Sequence, residues 1–232
     1  MHSSRQLAPW TVEGATILST MEFLTTNAEN PSSDDEDSAE ADSTQSATNR
    51  EEAIMRVITG KARGVTLKTP EGLQTRPTTD RVKEALFSVI QFDIPAAAVL
   101  DLFGGTGQLG IEALSRGAEE AVFVDSSRKS LDVVKKNIEL CRFQSVSHTH
   151  LGDSVAYLRG CGKKFDIVFL DPPYHKELCV AALENLGNCV NDGAIIICET
   201  QNDEILPEET DAFIVDRVYS YSAIKLTVYH TK

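Results

Sequence analysis

Nowhere does this 232-residue chain approach the roughly 18 consecutive apolar residues that a membrane-spanning helix needs, so no membrane role is expected. Its cysteines (Cys141, Cys161, Cys179, Cys189 and Cys198) include no C-x-x-C pair, and they are odd in number. That excludes zinc-ribbon spacing and an evenly paired disulfide framework, leaving free thiols in a reducing compartment and no bound metal as the expectation. The opening residues lack the basic start, apolar block and small-residue cleavage site of a secretory signal. They are also too acidic for a transit peptide, so a cytoplasmic location is expected. Tandem repeats are absent. Basic residues are scarce too: 22 Lys and Arg against 35 Asp and Glu give a net charge of −13.

That deficit is local. Residues 1–53 hold eleven acids against Arg5 and Arg50, so the remaining chain carries only −4. The stretch "NAENPSSDDEDSAEADSTQSATNREE" has little to bury and like charges that repel, and residues 1–54 are expected to be a disordered acidic extension. From Met55 the sequence changes character. The expected division is an N-terminal hairpin and helix over 55–92, followed by the main domain over 93–232.

"MRVITG" and "GVTLKT", joined by "KARG", predict the hairpin. "TTDRVKEALFSVI" predicts a helix with Val82, Ala85, Leu86, Val89 and Ile90 on one face and Thr79 or Asp80 as its cap. Strands and helices then alternate. "AVLDLF", "AVFVD", the weaker "VSHTHLGD", "FDIVFLDPP" and "AIIICET", the last entered through an "NDG" turn, read as strands. "QLGIEALSR", closed by Gly117, the stretch after the Ser126–Ser127 cap, "SVAYLRG" and "LCVAALENL" read as helices. Near-continuous apolar strands between helices predict a parallel sheet covered on both faces. "AFIVDRVYSYS" and "AIKLTVYHT" leave no room for a crossover helix and should pair antiparallel. The fold class is therefore α/β, Rossmann-like, with a seven-stranded mostly parallel sheet whose last strand is reversed.

In such sheets ligands bind beyond the carboxyl ends of the strands. Asp101, Asp125, Asp153 and Asp171 all stand at or just past such ends, which suggests a pocket for a ligand rich in hydroxyls and amines. "DLFGGTGQLG" supplies Gly104, Gly105, Gly107 and Gly110, allowing close backbone approach. Gly105, Gly107 and Gly110 fit G-x-G-x-x-G, with Asp125 twenty residues on to accept ribose hydroxyls. This marks an adenosine-containing ligand and is equally compatible with a dinucleotide or with S-adenosylmethionine.

"DPPY" (Asp171, Pro172, Pro173, Tyr174) favours the second. Two prolines after a buried strand make a rigid extended turn and remove two amide donors. Free carbonyls and the Asp171 carboxylate then form an acceptor-only grip suited to an exocyclic amine on a planar base. Tyr174 offers a stacking ring, worth roughly 1–3 kcal/mol. Accepting hydrogen bonds from the amine keeps its lone pair off the ring and aimed at an electrophilic methyl, so that positioning supplies most of the catalysis. A basic patch lies further back. Residues 56–83 carry Arg56, Lys61, Arg63, Lys68, Arg76, Arg81 and Lys83 against Glu71 and Asp80, a footprint for a polyanion.

In order and spacing, "MRVITGKARGVTLKTPEG…TRPTTDRVKEALF", "LDLFGGTGQLGIEALSRGA" and "VFLDPPY" resemble the RsmD-type 16S ribosomal RNA guanine-N2 methyltransferases, from about Met55 to the C-terminus. The resemblance implies a class I methyltransferase fold of strand order 3-2-1-4-5-7-6 that uses S-adenosylmethionine on ribosomal RNA or an assembling small subunit. Asp101, Gly104 and Gly107 would line the methionine end of the cofactor, Asp125 the ribose and Asp153 the adenine amine, with Gly105 also in the cofactor loop. Asp171 to Tyr174 would hold the guanine. Arg76, Pro77 and Thr78 would close over both ligands; of the basic patch, which the resemblance does not supply, Lys61, Arg63 and Arg81 are expected to meet RNA phosphates. A monomer is expected. Two departures stand out: "GGTGQLG" replaces "AGSGALG", and Tyr221–Ser222 replaces a Tyr-Gly pair.

Three rivals remain at this stage. A DNA adenine-N6 methyltransferase shares "DPPY", although no separate target-recognition domain is visible. An NAD(P)-dependent reductase would leave "DPPY" unexplained and shows no second substrate domain. A non-catalytic RNA-binding protein would not need the cofactor loop.

Overall fold

A computed structural model describes residues 55–69, 80–174 and 177–232. The expected disordered extension, the Thr79 cap and the "RPT" segment lie outside them. The elements are α1 (Asp80–Val89), β1 (Ala98–Asp101), α2 (Gln108–Ser115), β2 (Glu120–Asp125), α3 (Arg128–Leu140), β3 (Ser147–Leu151) and α4 (Ser154–Gly160), followed by β4 (Phe165–Leu170), α5 (Leu178–Asn185), β5 (Val190–Gln201), β6 (Phe213–Tyr221) and β7 (Ile224–Thr231). Among the described residues no helix is long and apolar enough to cross a membrane.

The sheet runs β3-β2-β1-β4-β5-β7-β6, the order that the family resemblance implies, and β7 runs antiparallel to both β5 and β6. Strand order reverses between β1 and β4, which opens a crevice beyond their carboxyl ends. Alternate residues of each strand feed two apolar clusters. Val99, Ile167, Phe169, Ile195 and Ile197 pack with α1, α2, α3 and the 55–69 segment. Leu100, Val168, Leu170, Ile196 and Cys198 pack with α4 and α5 on the other face.

The hairpin forms as an antiparallel Arg56–Thr66 bridge supported by Val57 N–H to Val65 O (3.0 Å) and Leu67 N–H to Met55 O (2.8 Å). It joins the first cluster through Met55, Val57, Ala62 and Leu67. α1 buries Phe87 and Lys83 as well as Val82 and Leu86, a wider face than the periodicity predicts. Phe87 is held between Phe169 (ring centroids 5.6 Å apart) and the Arg116 guanidinium (4.7 Å).

Two local expectations change. "NDG" lies inside β5 rather than ahead of it. The register jumps from Phe165–Val190 to Ile167–Ile195, and the extra residues form an irregularity with Gly193 at φ +79°. At the end of β6, Ser222 takes φ +51°, the left-handed position that glycine favours, and the Tyr221–Ile224 pair still closes the turn.

Candidate active site

The glycine loop leaves β1 and turns into α2. Gly105 (φ +53°) and Gly107 (φ +79°) occupy conformations that side chains resist, and Gly107 N–H closes the turn on Gly104 O at 2.5 Å. Gly110 meets a different need. A Cβ there would stand 2.4 Å from the Phe123 ring, so this glycine lets α2 press on β2.

Each strand-end carboxylate is tied into this framework. Asp101, 2% exposed, accepts Gly110 N–H at 3.1 Å and so satisfies a donor in the first turn of α2. Burial pushes its carboxyl up to about 7; the Gly110 bond opposes the shift and the nearby Asp125 charge adds to it. Half-buried Asp125 accepts Gly105 N–H (2.8 Å) with one oxygen and Ser127 N–H (2.7 Å) with the other, leaving lone pairs on both. Asp153 is exposed and caps α4 through Ala156 N–H at 2.8 Å, which leaves its second oxygen for another partner.

β4 delivers Asp171, Pro172, Pro173 and Tyr174 to the far side of the crevice. The Asp171 carboxyl is held well above the carboxylate range by burial first, then by Glu199, Asp101 and Cys179. Tyr174 is half-buried and its hydroxyl lies 3.4 Å from Glu199 Oε1. The edge therefore reads Asp153, Asp125, Asp101, Asp171 and Glu199 across β3, β2, β1, β4 and β5.

The basic residues separate into groups. Lys83 is interior, only 1% exposed, and donates to Arg56 O at 2.6 Å, so it adds nothing to a surface patch. Arg56 pairs with Asp80 at 3.0 Å. Lys61, Arg63 and Arg81 are exposed. Lys61 and Arg63 occupy the hairpin tip, where Lys61 N–H bonds Ser115 O at 2.8 Å at the end of α2. At 1.5 Å per residue that end is about 12 Å from the glycine loop, so the tip and the crevice address different parts of any bound polymer.

Three buried polar residues escape the sequence reading. Glu199, 3% exposed, ends the apolar run "AIIICET" and could have been found by the strand-end rule that singles out Asp101 and Asp171. Glu112 accepts Ile58 N–H (2.7 Å), Thr59 N–H (3.0 Å) and Arg116 Nε–H (2.8 Å). Asn137 accepts Lys68 N–H (2.7 Å) and donates to Lys68 O (3.0 Å) and Thr106 O (2.8 Å), joining the N-terminal arm to the glycine loop.

A doubly wound sheet with a reversed last strand, a glycine loop after β1 and an acid at the end of β2 defines the class I methyltransferase architecture. The family model described as conserved hypothetical protein 95 matches residues 55–230. Ribosomal RNA small subunit methyltransferase D of Haemophilus influenzae is 34% identical over 179 residues, covering 71% of this chain and 93% of that protein. The Escherichia coli protein of the same name is 35% identical over 156 residues, 66% of this chain and 78% of its own length. The solved structure of yhhF from Escherichia coli superposes with a TM-score of 0.69 at 31% identity, covering 76% of this chain and 97% of that one. The chain belongs to this family, that of the RsmD-type ribosomal RNA methyltransferases.

Proposed function

We propose that this chain transfers a methyl group from S-adenosylmethionine to the exocyclic N2 amine of a guanine in small-subunit ribosomal RNA. The observation that carries this reading is the pairing, across the β1/β4 crevice, of a glycine cradle with an acceptor-rich turn. The cradle fits the cofactor. At Gly105 only Phe103 O lies within 4 Å of where a Cβ would stand, so that side of the loop is open, and Asp125 is braced by two amides while keeping acceptor capacity for a ribose diol. Asp101, Gly104, Gly105 and Gly107 would hold its amino-acid end, Asp125 the ribose and Asp153 the adenine amine. When bound, the cofactor supplies an electrophilic methyl on a sulfonium.

The protein's own part is positioning. Tyr174 stacks on the guanine and Asp171 accepts an N2 hydrogen. The lone pair on N2 is thereby directed along the crevice, and the amine gives up one proton as the N–C bond forms. Lys61, Arg63 and Arg81 would contact phosphates of flanking RNA, and the Arg76–Pro77–Thr78 segment would close over both ligands. Residues 1–54 are proposed to be dispensable for the chemistry.

Tritium from labelled S-adenosylmethionine should enter guanine N2 of assembling small subunits, with the product identified by mass spectrometry. Asp171→Ala should abolish transfer. Label in duplex DNA adenine, or binding of NADH in place of S-adenosylhomocysteine, would overturn the reading.

A further inference from the structure

We propose that Glu199 is a positioning residue of this site, fixing the Tyr174 ring from behind by accepting its hydroxyl. The inference rests on the reading above, in which that ring carries the target base. Pairing of Leu170 with Cys198 sets Asp171 beside Glu199, on the sheet face shared by Ile197 and Phe169. Pro172 and Pro173 fix the turn, yet proline restrains only its own φ and leaves the side-chain torsions of the following residue free. Glu199 Oε1 stands 3.4 Å from the hydroxyl, placed to hold the ring from the β5 side. That separation is long for a hydroxyl–carboxylate bond, in keeping with catalytic contacts that tighten once the site fills. Carboxylates are rarely buried without a structural or functional partner, and Glu199 is only 3% exposed within β5.

Reach and charge separate in two mild variants of the full chain. Glu199→Asp keeps the charge and withdraws the oxygen by one methylene; Glu199→Gln keeps the reach and removes the charge. With S-adenosylmethionine and assembling small subunits, Glu199→Asp should lower kcat about tenfold, like Tyr174→Phe, while the S-adenosylhomocysteine Kd stays unchanged. Glu199→Gln should retain most of the activity. Combining Glu199→Asp with Tyr174→Phe should do no more than either alone. Multiplied effects, a wild-type Glu199→Asp, or a Glu199→Gln as poor as Glu199→Asp would each overturn the assignment.

A second readout needs no RNA. With ring-labelled tyrosine, the Tyr174 resonance, identified by its loss in Tyr174→Phe, should shift in Glu199→Asp and hold in Glu199→Gln. Unchanged spectra in both variants would overturn the tie. If wild type fails to methylate guanine, the function proposed above falls, and the tyrosine spectra still decide the role of Glu199.

Discussion

The two faces of the sheet are built by different means. On the α4/α5 side, packing is almost wholly apolar, with Leu158, Ala182, Leu183 and Leu186 against Leu100, Val168, Leu170 and Ile196. On the other side, buried polar groups supplement the apolar contacts. Glu112 holds the amides of Ile58 and Thr59, and Ser115 Oγ accepts Ala62 N–H at 2.9 Å while donating to Thr59 O at 2.5 Å. Asn137 spans the arm and the glycine loop. Apolar burial is non-directional and tolerates small shifts, whereas hydrogen bonds fix a register. The face that must present the cofactor loop is the one specified by direction.

The sharpest way to break that contrast is Asn137→Ala, which strands Lys68 N–H, Lys68 O and Thr106 O without partners. Denaturant unfolding should show a loss of about 4–5 kcal/mol, and calorimetry a weaker S-adenosylhomocysteine affinity. Retained affinity would detach the arm from the loop. Next comes Asp101→Asn. Because the folded-state carboxyl sits near 7 against an ordinary 3.8, the folded protein holds its proton more tightly than the unfolded chain does. Below about pH 4 both states are protonated and nothing is lost; stability then falls as pH rises to about 7. The amide should remove that dependence, gaining roughly 4 kcal/mol over wild type at pH 8 relative to pH 4. Parallel stability profiles would refute it.

Leu183→Ala, on the apolar face, should cost about 3 kcal/mol and leave cofactor affinity alone. A coupled loss of affinity would erase the distinction between the faces. Smallest in stability, within about 0.5 kcal/mol, is neutralisation of Lys61, Arg63 and Arg81. Its effect should appear in RNA binding, as a salt-dependence slope shallower by about 2–3. An unaltered slope would make these residues solvated surface.

The number of strands, the reversed last strand and the acids at the ends of β1, β2 and β4 were legible because each depends on local pattern: apolar runs, punctuation and a terminal charge; the sheet order followed only from the family resemblance. Asn137 was not, since its partners Lys68 and Thr106 lie 69 and 31 residues away and only the folded chain joins them. Lys83 misled for the same reason: its charge suggested surface, while a carbonyl 27 residues earlier holds it inside. Glu199 carries the same local signal as Asp171, an acid directly after an apolar run. "NDG" has the composition of a turn, yet the long β5 absorbs it as an irregularity.

The outermost strand, β6, has a consequence for solubility. Its first residues are covered by the preceding segment, through Val215 N–H to Glu208 O (2.9 Å) and Thr210 N–H to Phe213 O (2.8 Å). Beyond them the register slips between Val215 and Arg217, and Asp216 and Arg217 form an ion pair at the break (3.2 Å), just ahead of an exposed Val218. A continuous ladder there would offer unpaired amides and carbonyls to any other strand in solution. The slipped register and its charges interrupt the flat ladder that edge-to-edge pairing between copies would need.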